Sequence, residues 1–114
     1  MTAVLEIESA EQLAEIVRDE TRGVMIDVWG TWCQPCRALR PHIEQLAEAN
    51  ADDWRIVALH VESLPELVEH YAIQSTPTLI YLRDGEEVHR SAGAVTPSTI
   101  AADLSAHRLS LIHI

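Results

Sequence analysis

The sequence predicts an α/β domain with a central mixed sheet flanked by helices, in the order βαβαβαββα. Three observations carry that expectation. Short apolar runs alternate with stretches of helical apolar spacing, the pattern of strands and helices wound around a sheet. An Asp84-Gly85 pair between two strand-like runs marks a hairpin, which adds antiparallel strands and makes the sheet mixed. The chain of 114 residues with 47% hydrophobic composition is long enough for one core and too short for two.

Val4 to Ile7 is expected as a short first strand, and Ser9 followed by Gln12 as a capping box. The helix it opens turns Leu13, Ile16 and Val17 inward, and Gly23 breaks it. Val24-Met25-Ile26-Asp27-Val28-Trp29 is nearly continuous apolar sequence, as in a strand buried on both faces. From Cys33 onward Cys36, Leu39, Ile43 and Leu46 recur at helical spacing, fading at Ala49-Asn50. Pro41 inside that helix removes a backbone donor and predicts a kink. Trp54 to Val61 reads as a third strand, and Ser63 with Glu66 as a second capping box for a short helix through Tyr71. Thr78 to Arg83 and Glu86 to Ser91 flank the Asp-Gly turn. Thr96 as N-cap and Pro97 at the first helical position open a last helix burying Ile100, Ala101 and Leu104.

The domain is expected to span residues 1–108, with no linker, repeat or low-complexity segment. Leu109 to Ile114 are apolar, present no surface face and follow a helix whose stripe is complete. They match one reading frame of a transposon-end adaptor used in sequencing libraries, so they are expected to be a non-native tail, a cloning or assembly scar.

The formal net charge is −10, with 18 acidic and 8 basic residues, every basic one Arg. Phosphate binding needs basic surface, so neither nucleic acid nor an anionic membrane is an expected partner. The N-terminal stretch lacks a basic segment followed by an apolar one, and no apolar run approaches the roughly 20 residues of a membrane span. A cytoplasmic protein is expected, and there thiols are kept reduced.

The two cysteines lie in Trp32-Cys33-Gln34-Pro35-Cys36-Arg37. A bridge closing so small a loop restrains the unfolded chain little, which makes a purely structural disulfide a weak reading. Zinc needs about four ligands, and His42, His60, His70, His89, His107 and His113 are scattered along the chain. Covalent haem attachment needs His directly after the second cysteine, where Arg37 stands. No metal and no organic cofactor is expected. A redox pair fits: Cys33, just before the helix, faces unpaired N–H groups and the positive end of the helix dipole, which favour thiolate. Cys36, one turn inside, would then resolve the mixed disulfide. Asp27 has two readings, a solvent-facing edge position or a buried proton acceptor for the resolving thiol. A buried carboxylate costs several kcal/mol unless paired or protonated.

Asp27-Val28-Trp29-Gly30-Thr31-Trp32-Cys33-Gln34-Pro35-Cys36-Arg37, the helix proline Pro41, Thr76-Pro77-Thr78 before the hairpin and Gly93 after it resemble the thioredoxin family over nearly the whole chain. The resemblance implies the thioredoxin fold and a monomer that reduces protein disulfides, recycled by a flavin-dependent thioredoxin reductase. It implies catalytic roles for Cys33, Cys36 and Asp27, and structural ones for Trp29 and Pro41. It implies a cis bond before Pro77, and a substrate-binding surface of Trp32, Gln34, Pro35, Thr76, Pro77, Gly93 and Ala94. Four positions depart from the family pattern. Gln34 stands where Gly is typical, Ala58 where many members have a buried Lys, Val28 where an aromatic is usual, and Ser75 where Gly is frequent. Gln34 and Ala58 keep a second reading open: a thioredoxin-like binding or chaperone module with little turnover, which would survive loss of both cysteines.

Overall fold

A computed structural model describes residues 3–93 and 95–108 of the chain. Its elements are β1 (Leu5–Glu6), α1 (Ala10–Asp19), β2 (Gly23–Trp29), α2 (Gln34–Ala49), β3 (Trp54–His60), α3 (Pro65–His70), β4 (Thr78–Arg83), β5 (Glu86–Ala92) and α4 (Pro97–Ala106). The order is the expected one. Ala94 and the tail from Leu109 to Ile114 lie outside the described residues.

The five strands lie in the order β1-β3-β2-β4-β5. β1 and β2 run parallel to β3, whereas β4 is antiparallel to β2 and to β5. β2 is central, which is why its apolar run is nearly unbroken. Successive side chains of a strand point to opposite faces. Val24, Ile26 and Val28 join the core that includes Leu13 of α1 and Leu67 of α3. Met25 and Trp29 pack on the other side, with Leu39, Ile43 and Ala47 of α2 and Ile100 and Leu104 of α4. Asp27 shares the parity of Met25 and Trp29, so its carboxylate belongs to the α2 side of the sheet.

Several local expectations change in the tertiary setting. β1 keeps only two residues in strand pairing, although Val4 and Ile7 are buried and the Ile7 N–H donates to the Ala58 carbonyl at 2.9 Å. Ser9 caps α1 by accepting from the Gln12 N–H at 3.0 Å, but the Gln12 side chain accepts from Glu8, one residue before the cap. The second capping box does not form. Leu64 is the N-cap of α3 and, with no polar side-chain atom, makes no cap bond, while the Ser63 hydroxyl lies 2.6 Å from His60 Nδ1. β3 ends at His60, one residue short of Val61. Ala47 is buried in α2 where Leu46 is only half-buried, and in α4 Ala101 is exposed while Ile100 and Leu104 are buried. The Asp84-Gly85 turn has positive φ at both residues, 55° and 81°, the conformation of a tight hairpin turn.

Gly23 does not end α1, which stops at Asp19 with Glu20 as its C-cap. It is the first residue of β2, and a Cβ there would sit 2.5 Å from the Trp54 ring. That ring is 1% exposed, and its Nε1 donates to the Leu104 carbonyl at 3.0 Å, so it has no room to retreat. Gly23→Ala is expected to lower the unfolding free energy by roughly 1–3 kcal/mol through overpacking, measured as a shift of the urea midpoint with unchanged slope.

Candidate active site

The sheet register gathers the candidate residues at one end. β2 leads out toward Gly30 and the cysteines, with Trp29 beside His60 at the end of parallel β3. β4 runs the opposite way, so Thr78 at its start pairs with Val28 near the end of β2. Ala92 at the end of β5 pairs with Thr78 in turn. Thr76-Pro77 and Gly93 therefore reach the strand end that carries the cysteines. The Gly93 N–H donates to the Pro77 carbonyl at 3.3 Å, and a Cβ on Gly30 would lie 3.8 Å from Thr76 Oγ1. The Thr76–Pro77 peptide is cis, and Thr78 Oγ1 donates to the Ser75 carbonyl at 2.6 Å, holding this loop to the start of β4. Gly93 has φ of 82°, a conformation glycine adopts without strain.

Cys33 and Cys36 form a disulfide, with Cα atoms 5.3 Å apart. Cys33 is the N-cap of α2, and its sulfur accepts from the Cys36 N–H at 3.2 Å. The sulfur thus takes the place a Ser or Asp oxygen takes at other helix starts. Free N–H groups and the positive dipole end stabilise negative charge there, and no acidic residue in the first turn opposes it. Cys33 is half-buried and Cys36 is buried, so the sulfur with the stabilised charge is also the accessible one. Trp32 beside it is 88% exposed, and Gln34 and Pro35 are exposed as well.

The approach to Cys33 is clamped from the end of β3 and the turn that follows it. Glu62 accepts from the Thr31 N–H at 2.8 Å, Thr31 Oγ1 shares a 2.7 Å hydrogen bond with His60 Nε2, and the His60 ring lies 4.4 Å from the Trp29 ring. Arg37 donates to the Thr31 carbonyl at 2.6 Å from the other side. His60 is therefore part of the site's frame. Its only sequence signal is its place at the end of a strand that pairs with β2.

Asp27 is 1% exposed, which overturns the solvent-facing edge reading, because β3 and β4 flank β2. Its sheet neighbours are Ala58 and Leu79, neither charged. A cation comes instead from α2: Arg40 Nε stands 3.4 Å from Asp27 Oδ2, without the alignment of a hydrogen bond. Burial pushes the Asp27 carboxyl up from its ordinary 3.8 to about 6, against the attraction of Arg40, with Glu6 and Glu44 adding repulsion. Sequence reading had named neither Arg40 nor Glu6. The available signal was that Arg40 follows Cys36 by four residues and so shares its helix face.

The structure thus brings Cys33, Cys36, Trp32, Thr76, Pro77 and Gly93 to one end of the sheet. Pro41 lies inside α2 and is exposed, and Trp29 packs against the core on the α2 side of the sheet. Ala94 is outside the described residues. A cleft of about 680 Å³ lies elsewhere, between α1, α3 and the Asp84-Gly85 turn, and none of these site residues lines it. Among the described residues no three acidic, His or Cys side chains converge as metal ligands, and no helix is long and apolar enough to cross a membrane.

Comparison with known proteins gives one consistent answer. The family model described as Thioredoxin matches residues 4–106. The thioredoxin of Mycobacterium tuberculosis is 31% identical over 104 residues, covering 91% of this chain and 89% of that protein. A bifunctional thioredoxin reductase/thioredoxin of Mycobacterium leprae is 30% identical over 101 residues, covering 89% of this chain and 22% of that longer protein. The crystal structure of Malassezia sympodialis thioredoxin superposes with a TM-score of 0.85 at 25% identity, covering 96% of this chain and 94% of that one.

The buried carboxylate predicts a pH-dependent stability. The folded state binds the Asp27 proton more tightly than the unfolded chain, so stability falls as pH rises from 3.8 to about 6 and stays reduced above that. The gap corresponds to roughly 3 kcal/mol. Asp27→Asn is therefore expected to be about 2–3 kcal/mol more stable than the parent at pH 8, with the gain vanishing near pH 4. Urea unfolding at the two pH values checks both the sign and the window.

Proposed function

We propose how this site works from one premise: the chain belongs to the thioredoxin family and is a protein-disulfide reductase acting by thiol–disulfide exchange. The observation that carries the division of labour is the half-buried Cys33 at the N-cap of α2, bonded to a buried Cys36 one turn inside.

In the reduced chain, the Cys33 thiolate attacks one sulfur of a substrate disulfide. The substrate S–S bond breaks, a Cys33–substrate bond forms, and the first substrate sulfur leaves as a thiolate that takes a proton from water. Asp27 accepts the proton of the Cys36 thiol. The Cys36 thiolate then attacks the Cys33 sulfur and releases the second substrate sulfur. Two electrons have passed to the substrate, and the chain is left with the Cys33–Cys36 disulfide. A carboxyl whose proton affinity lies near neutrality suits this step, since it can both take and return the proton.

Trp32, Thr76, Pro77 and Gly93 form the shallow docking surface, with Gln34 and Pro35 at its rim. Its support is their convergence on the cysteine end of the sheet and the exposed Trp32 ring. An extended substrate segment lies along the backbone at Thr76. Trp29 and Pro41 have structural roles. The chain is a monomeric electron carrier in cytoplasmic redox homeostasis, where the reducing pool keeps its thiols available. A flavin-dependent thioredoxin reductase returns the two electrons, and the one proton regained with them restores the Cys33 thiolate and the Cys36 thiol. Support for that partner comes from the Mycobacterium leprae relative, whose name joins a thioredoxin reductase to a thioredoxin.

Insulin reduction with dithiothreitol tests the assignment. Cys33→Ser is expected to abolish turnover with no trapped intermediate. Cys36→Ser is expected to stop after one attack and accumulate a mixed disulfide visible by mass spectrometry. A mixed disulfide that accumulates in Cys33→Ser and not in Cys36→Ser reverses the two roles.

A further inference from the structure

Arg40 reaches in two directions. Its outer nitrogen donates to Glu6 Oε1 at 2.9 Å, and its guanidinium lies 5.3 Å from the centre of the Trp29 ring. The other Glu6 oxygen accepts from Trp29 Nε1 at 3.3 Å, so one carboxylate holds both. Its inner nitrogen, Nε, stands 3.4 Å from Asp27 Oδ2 with no hydrogen bond between them. An anchored cation in this position favours the ionised carboxylate through its field, yet leaves the Oδ2 lone pairs free to accept a proton.

We propose that Arg40 is a positioning residue for the exchange reaction: held by Glu6 and Trp29, it is the counter-charge that governs when Asp27 takes and returns the Cys36 proton. This rests on the reading of Asp27 as that proton's acceptor. The charged groups around Asp27 are few. Glu6 comes from β1 and Arg40 and Glu44 from α2, with Cys36 one turn before Arg40. β3 and β4 present Ala58 and Leu79, and α4 contributes Ile100 and Leu104 to this face. Arg40 is the one cation paired with Asp27 among the described residues.

Position adds a second argument. Arg40, Glu6, Trp29, Cys36 and Arg37 line a cleft of about 180 Å³, room for several waters. Cys36, itself buried, forms part of the cleft's wall, and Arg40 spans the distance from that wall to the buried carboxylate. Glu6 and Arg40 then act on Asp27 with opposite signs. Removing the cation disfavours the carboxylate. Removing the anion relieves repulsion and frees Arg40 to turn further toward Asp27.

The test follows the Asp27 carboxyl by carbon-13 NMR across pH in the reduced full-length chain, beside the pH profile of mixed-disulfide resolution. Arg40→Met is expected to move the Asp27 midpoint up by about one pH unit or more, Glu6→Gln to move it down, and Arg40→Lys to stay near the parent. The resolution profile is expected to follow in each case. Loss of packing alone would lower the melting temperature of both variants without opposite shifts. An unmoved midpoint in Arg40→Met, or shifts of the same sign in Arg40→Met and Glu6→Gln, overturns the proposal. A resolution profile in Asp27→Asn identical to the parent overturns instead the acceptor reading beneath it.

Discussion

Val28 on β2 stands opposite Thr78 on β4, in antiparallel register, and the site depends on that pairing. A parallel neighbour would have placed the start of β4 at the far end of β2, beside Gly23. Because the direction reverses, the loop ending in Pro77 meets the loop ending in Cys33. The hairpin through Asp84-Gly85 then returns β5 to the same end and delivers Gly93. Backbone hydrogen bonds of the ladder set these positions.

The same central position that organises the site isolates Asp27. A strand with neighbours on both edges and helices on both faces gives a carboxylate no water, and the two facing strand residues offer no charge. The fold keeps it at the expense of stability, a trade common where function needs a perturbed group. What limits the penalty is a cation from α2, itself tied to Glu6 and stacked by Trp29. Conformation, charge and solvent access at one carboxyl are thus shared among β1, β2 and α2.

The start of α2 serves structure and chemistry together. An N-cap needs an acceptor for an orphan N–H, and here the acceptor is the Cys33 sulfur. The interaction that begins the helix also favours thiolate when the bridge opens. Thr31, held by Glu62 and His60, fixes the direction from which the chain enters that cap.

Much of this was legible in the chain itself. Element order, the buried central strand, the Asp-Gly hairpin, the cysteine pair at a helix start and the Thr96 cap all follow from periodicity and local backbone preference, which act over a few residues. The failures were local too: α3 starts from Leu64 with Ser63 paired to His60, and Ala101 fell outside the buried stripe. The parity of Met25, Asp27 and Trp29 was visible in sequence, but not which helix would cover that face. Only the tertiary structure decided that α2 packs there, and with it that Arg40, 13 positions from Asp27, and Glu6, on a strand β3 separates from β2, converge on one carboxylate. Charge pairing through space depends on how elements pack, and no local pattern in the chain records it.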